Sequence, residues 1–232
     1  MKKIMTLYHG SANIIEKPIF GAGKQNNDYG LGFYCTESIE LAKEWACSAE
    51  LDGYANQYSF DTEGLSILSL TGGEYTILHW LAILLENRKF RTGATVAASA
   101  KQYLLDNFLT DYRKYDVIKG YRADDSYFSF ATAFLNNTIS LSKLEKAMQL
   151  GKLGEQVVAV SQEAFEQFSF VQAEFAPKEF YYPKKLARDT AARKEFLLER
   201  GFDSALEETY MIDILREGWK ADDKRLQRIV LG

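Results

Sequence analysis

The sequence is poor in the side chains that staple or chelate: among 232 residues there are two cysteines, Cys35 and Cys47, and two histidines, His9 and His79. Two cysteines cannot build a disulfide framework, and no chelating spacing joins them to the histidines, so no zinc or other metal centre is expected. Prolines number only three, and charge of neither sign dominates: 28 basic against 32 acidic residues leave a net charge of −4. That balance offers no general attraction to nucleic acid. Long apolar runs are missing too. The longest, around Ile77 to Leu85, is interrupted by His79 and stops at Glu86-Asn87-Arg88, well short of the ~20 residues that cross a bilayer. No long apolar signal region follows Met1-Lys2-Lys3-Ile4-Met5, so the expected compartment is the cytoplasm, away from membranes.

What is present is an ordinary globular composition, 47% hydrophobic and 26% charged, which is enough apolar material to bury a sizeable core. Ile4 to Tyr8 is a short strand-forming run that ends at His9-Gly10-Ser11. Ile14 to Gly32 is crowded with turn formers and forms a long loop. Gly32 to Cys35 is a second strand, closed by Thr36 as a helix cap. The following helix puts Ile39, Ala42, Trp45, Ala46 and Ala49 on one stripe, with Glu40, Lys43, Glu44 and Ser48 on the wet side.

Further along, Glu74 to Arg88 and Val96 to Leu109 are helical, the first apolar nearly all round, and Tyr115 to Ile118 is a brief strand. Asp124 or Asp125 caps the helix from Tyr127, and Ser142 with Glu145 forms a capping box. Gln156-Val157-Val158-Ala159-Val160 has the β-branched density of a core strand, with Glu155 at its entrance. After Pro183 a charged helix runs to Arg200, and a last helix spans about Leu206 to Arg216. His79, between Leu78 and Trp80, suits a bonded core histidine. Gly21-Ala22-Gly23-Lys24 lacks P-loop spacing and belongs to the loop. The domain reading is 1–180 as a core unit, with 51–115 a mostly helical insertion, and 181–232 as a C-terminal helical extension packed on it.

His9-Gly10, the glycine-aromatic strand and the Glu155-Gln156 strand together resemble the ADP-ribosyltransferase fold in its diphtheria-toxin and poly(ADP-ribose) polymerase branch, whose signature is a histidine, a tyrosine and a glutamate on three core strands. The blocks Asp28 to Tyr34, Gly120 to Phe128 and Leu153 to Val158 are similar to those of an uncharacterised bacterial family placed in that fold. The resemblance implies an α+β fold with a split sheet and NAD as substrate, without a metal. It implies that His9 bonds the adenosine-side ribose, Gly10 and Ser11 hold the nicotinamide carboxamide, and Tyr34 and Trp45 sandwich the ring, with Gly32 beside them. Lys24, in the same loop, is a candidate contact for the pyrophosphate.

At the third signature position this chain departs, because Gln156 stands where the glutamate is expected and Glu155 precedes it. Adjacent strand residues face opposite ways, so only one of the two can face the pocket unless a bulge intervenes. A glutamine still bonds a ribose but carries no charge for an oxocarbenium-like state, which argues against polymerisation. The implied function is mono-ADP-ribosylation of a macromolecular target, with Gln156 or Glu155, His9 and Tyr34 as the catalytic set. The acceptor is a protein, nucleic acid or small molecule, and the resemblance adds an antitoxin partner in a toxin–antitoxin or defence setting. The alternative is a catalytically inactive NAD-binding or protein-interaction module.

Overall fold

The computed structural model describes residues 4–71, 73–90, 95–123, 125–148, 150, 154–199 and 208–227. Asp124 as a cap, Leu153 and the expected start of the last helix near Leu206 lie outside those residues.

The chain is α+β, built on two sheets. Strands β1 (Ile4–Ser11), β3 (Gly53–Asp61) and β7 (Phe168–Ala176) form an antiparallel sheet in the order β1-β3-β7. Strands β2 (Phe33–Cys35), β4 (Ile67–Ser69), β5 (Val117–Tyr121) and β6 (Glu155–Ala159) form a second sheet in the order β2-β6-β5-β4, in which only β4 and β5 run parallel. The sheets are stitched where Tyr8 N–H donates to the Thr36 carbonyl at 2.8 Å and Thr36 N–H donates back at 2.9 Å.

Alternation along the strands divides the buried side chains into two cores. Leu7, Tyr58 and Phe60 of the first sheet meet Phe33, Cys35, Val117, Val157 and Ala159 of the second, joined by Ala164 and Phe165 of α6 (Gln162–Glu166). The opposite face of the second sheet, through Leu68, Ile118 and Val158, packs on α2 (Ile77–Asn87), α3 (Thr95–Phe108), α4 (Asp125–Leu135) and α5 (Leu141–Ala147). Each large aliphatic or aromatic side chain so buried contributes roughly 1.5–3 kcal/mol. Helix α2 is buried from Ile77 to Leu85, which explains its lack of a polar face. His79 closes its first turn: Thr76 N–H donates to His79 Nδ1 at 3.1 Å. Among the described residues no helix is long and apolar enough to cross a membrane.

Several local expectations are corrected. The segment 51–115 is not mostly helical insertion, because β3 and β4 occupy its first part and helix begins only at Ile77. Helix α1 (Ile39–Ala46) is capped by Ser38, whose hydroxyl accepts from Leu41 N–H; Thr36 instead accepts from Ser38 N–H. Helix α5 is capped by Ser140, not Ser142. Pro183 lies inside α7 (Lys178–Glu199), which therefore begins before the proline; the carbonyl four residues back belongs to exposed Glu179, where water can take the missing donor's place. Glu44 is buried, not wet. Arg188 of α7 grips it with Nε at 2.9 Å and Nη2 at 2.8 Å, so α7 is docked on α1. Phe196 of the same helix stacks on Phe130 of α4 at 4.1 Å.

Candidate functional site

Where β1 finishes, β2 and β6 begin and β5 has just ended, the chain encloses a cavity of about 770 Å³. His9, Gly10, Ser11, Gly32, Tyr34, Trp45 and Gln156 all line it, so seven of the residues expected from sequence meet there. Glu155 does not. Strand alternation sends it to the other face, where its carboxylate pairs with Lys119 at 2.9 Å and accepts from the Thr71 hydroxyl.

Gly10 is set by packing as well as by its opening on the cavity. A Cβ there would sit 2.0 Å from the Ala42 carbonyl oxygen and 2.8 Å from Ala46 N, so helix α1 lies against bare backbone. Tyr8 spends its N–H and C=O on Thr36 at the open edge of β1. Two residues on, the strand repeat turns the Gly10 N–H and C=O to that same edge, a donor and an acceptor side by side on the cavity wall. The Ser11 hydroxyl is already engaged, donating to Asn13 O at 2.6 Å and accepting from Asn56 Nδ2 at 3.1 Å.

His9 stacks on Phe33 with ring centroids 4.3 Å apart, and its Nδ1 lies 2.7 Å from the Tyr34 carbonyl. A carbonyl only accepts, so Nδ1 carries the proton and Nε2 is left as an acceptor. Burial pushes the His9 pKa below the ordinary value of 6.5, opposed by the bond to Tyr34. The sign follows: as pH falls, the unfolded chain, titrating near ~6.5, takes up the proton before the folded one. The stability that neutral His9 contributes is full above that pH and declines below it. An NMR titration of the folded protein is expected to place the His9 midpoint under 6.5; a midpoint above it contradicts the neutral acceptor.

The Tyr34 ring lines the cavity while its hydroxyl is tied away, donating to Gly30 O at 2.6 Å and accepting from Tyr29 N–H at 3.1 Å. Burial raises its phenol far above the usual range, which keeps it a donor. Gly30 takes a φ of +80°, and a Cβ there would meet Asn87 Oδ1 at 2.8 Å, so the turn that presents Tyr34 requires glycine. Trp45 is not a bare stacking plate: the Arg122 guanidinium lies 4.0 Å from its ring centroid, and its buried indole N–H has no hydrogen-bond partner among the described residues.

The residue that the sequence reading passed over is Asp28. It is 5% exposed and is reached from three elements. Arg88, at the end of α2, donates to Oδ1 at 2.9 Å, while Oδ2 accepts from Ala123 N–H at 2.8 Å and from Gln156 Nε2 at 3.0 Å. Burial raises its pKa, opposed by these donors and by Arg88 and Arg122. Arg88, Arg122, Lys17 and Lys24 also line the cavity, four basic side chains against one acid. The long loop that supplies Lys17, Lys24 and Asp28 is pinned at its start: Ile15 N–H donates to Asn56 Oδ1 at 2.9 Å, and Tyr58 bonds the Ile15 carbonyl. Asp28 and Arg122 both stand in the blocks that carried the family resemblance, which is the signal that would have found them. Arg88 and Asn56 had none.

Among the described residues, no group of three or more His, Cys, Asp or Glu side chains is placed to hold a metal ion. No curated protein and no solved structure matches the chain. A family model described as "Protein of unknown function (DUF3990)" matches residues 5–170, a segment that contains the whole cavity lining from His9 to Phe165. Covering more than half of the sequence, that match means that the chain belongs to the DUF3990 family.

Proposed function

We propose that this protein is a mono-ADP-ribosyltransferase that takes NAD as its substrate. The observation that carries the reading is the convergence of His9, Gly10, Tyr34 and Gln156, from three strands in two sheets, on one cavity with a basic lining. In this reading the Gly10 N–H and C=O bind the carboxamide and the Tyr34 ring lies against the nicotinamide. His9 Nε2 accepts from the adenosine-side ribose, and Lys17 and Lys24 of the long loop face the pyrophosphate, while Arg88 is held by Asp28 and Arg122 by Trp45. A cationic ring against an aromatic face gains ~2 kcal/mol once desolvated. In the reaction the bond between ribose C1′ and nicotinamide N1 breaks and its electron pair neutralises the pyridinium. The acceptor's nucleophilic atom gives a lone pair to C1′ and releases its proton to solvent.

Gln156, neutral where a carboxylate is expected, favours a second reading, an NAD-binding module without turnover. Calorimetry with NAD and release of labelled nicotinamide separate the two. The expected result is binding and release by the native chain, with His9→Ala and Tyr34→Ala each lowering release by about tenfold, the equivalent of ~1.4 kcal/mol. Binding without release selects the second reading. Neither binding nor release overturns both.

A further inference from the structure

Gln156 is 3% exposed, and its amide is not free to turn. Its Nε2 donates to Asp28 Oδ2 at 3.0 Å and to the Tyr121 carbonyl at 3.2 Å. Neither a carboxylate nor a carbonyl donates a proton to it, so the NH2 end must face these two groups and Oε1 is the end left to a guest in the cavity. A glutamate in the same place would point carboxylate oxygens at a carboxylate and a carbonyl. The usual acid is thus excluded from position 156 by its neighbours.

We infer that Asp28 is a positioning residue for Gln156: it holds the amide with Oε1 toward the substrate ribose and supplies, one hydrogen bond away, the negative charge that position 156 lacks. The inference rests on the proposed reaction. Its logic is that of a carboxylate that orients a neutral catalytic group and polarises it through a charge-assisted bond. The wiring of Asp28 suits the task. Arg88 holds Oδ1, Ala123 N–H holds Oδ2, and the Tyr34 that lines the cavity is anchored two residues away at Gly30. The groups facing Asp28 are Arg88 at the end of α2, Arg122 after β5, Gln156 of β6, and the neighbouring phenols Tyr29 and Tyr34.

Three variants test this: Asp28→Asn, Gln156→Glu and the double replacement. Nicotinamide release from labelled NAD is read as kcat and KM, and thermal unfolding is read from pH 4 to pH 8. Asp28→Asn is expected to lower kcat by about tenfold with KM within about threefold, because both Asp28 oxygens are already engaged, Oδ1 by Arg88 and Oδ2 by Ala123 N–H and Gln156. Gln156→Glu, although it restores the family acid, is expected to lower kcat by at least about tenfold and to melt lower than the native chain at pH 8. That deficit shrinks toward pH 4, where the facing carboxyls share a proton. Adding Asp28→Asn removes the facing carboxylates and is expected to recover about tenfold over Gln156→Glu alone, a non-additivity that a purely structural Asp28 does not produce. A Gln156→Glu chain as active as the native one, or a melting deficit that is flat with pH, overturns the inference. If the native chain neither binds NAD nor releases nicotinamide, the proposed reaction fails, while the pH-dependent melting still decides whether Asp28 and residue 156 face each other.

Discussion

Gly10→Ala is expected to destabilise the protein by ~3 kcal/mol or more, at or above the top of the range for overpacking a well-filled site. The methyl group would stand 2.0 Å from the Ala42 carbonyl oxygen and 2.8 Å from Ala46 N, and both obstacles are backbone atoms of α1. No rotamer change relieves them. Either α1 shifts away from β1 or the strand slips, and α1 carries Trp45 and the buried Glu44. Urea unfolding checks the size of the effect, and a midpoint indistinguishable from the native one contradicts the contact. Because the displaced helix forms one wall of the cavity, NAD binding is expected to fall together with stability. This separates Gly10→Ala from His9→Ala, which removes an acceptor while leaving α1 in place.

Much of this architecture was legible because single-element rules suffice for it. The β1, β2 and β6 runs are short and β-branched or aromatic, and turn formers bracket the long loop between residues 14 and 32. Helix α2 was recognisable as buried because it has no polar face. Two of the misreadings share one cause, a partner distant in sequence. Glu44 looks solvated on its own helix, and only Arg188, 144 residues away, makes it a buried group. Asp28 looks like a turn former until Arg88, Ala123 and Gln156 converge on it from separate elements. Period-two alternation established that Glu155 and Gln156 diverge, but the choice between them needed Lys119 and Thr71 on one face and the cavity on the other. Cap choice failed more locally: Thr36 and Ser38, or Ser140 and Ser142, offer similar hydroxyls two residues apart, and the helices use Ser38 and Ser140.

Arg188→Met is the other change expected to act strongly, lowering stability by ~3–5 kcal/mol, the usual result of stranding one member of a buried ion pair. Glu44 is 2% exposed, and among the described residues both hydrogen bonds that hold its carboxylate come from Arg188. Without the guanidinium, the buried carboxylate loses both of those donors. The double replacement Glu44→Met/Arg188→Met is expected to recover most of the loss, because an apolar pair of similar volume avoids the desolvation cost on both sides. Chemical denaturation of the three variants gives the coupling energy directly. A double variant no more stable than Arg188→Met shows that the guanidinium acts through packing of its stem and not through Glu44. The consequence reaches the cavity through one residue: Trp45 follows Glu44 on the same turn of α1, so loosening α7 from α1 frees the indole that Arg122 covers. Helix α7 therefore acts as a brace for one wall of the site, and Arg188→Met is expected to weaken NAD binding while the double variant restores it.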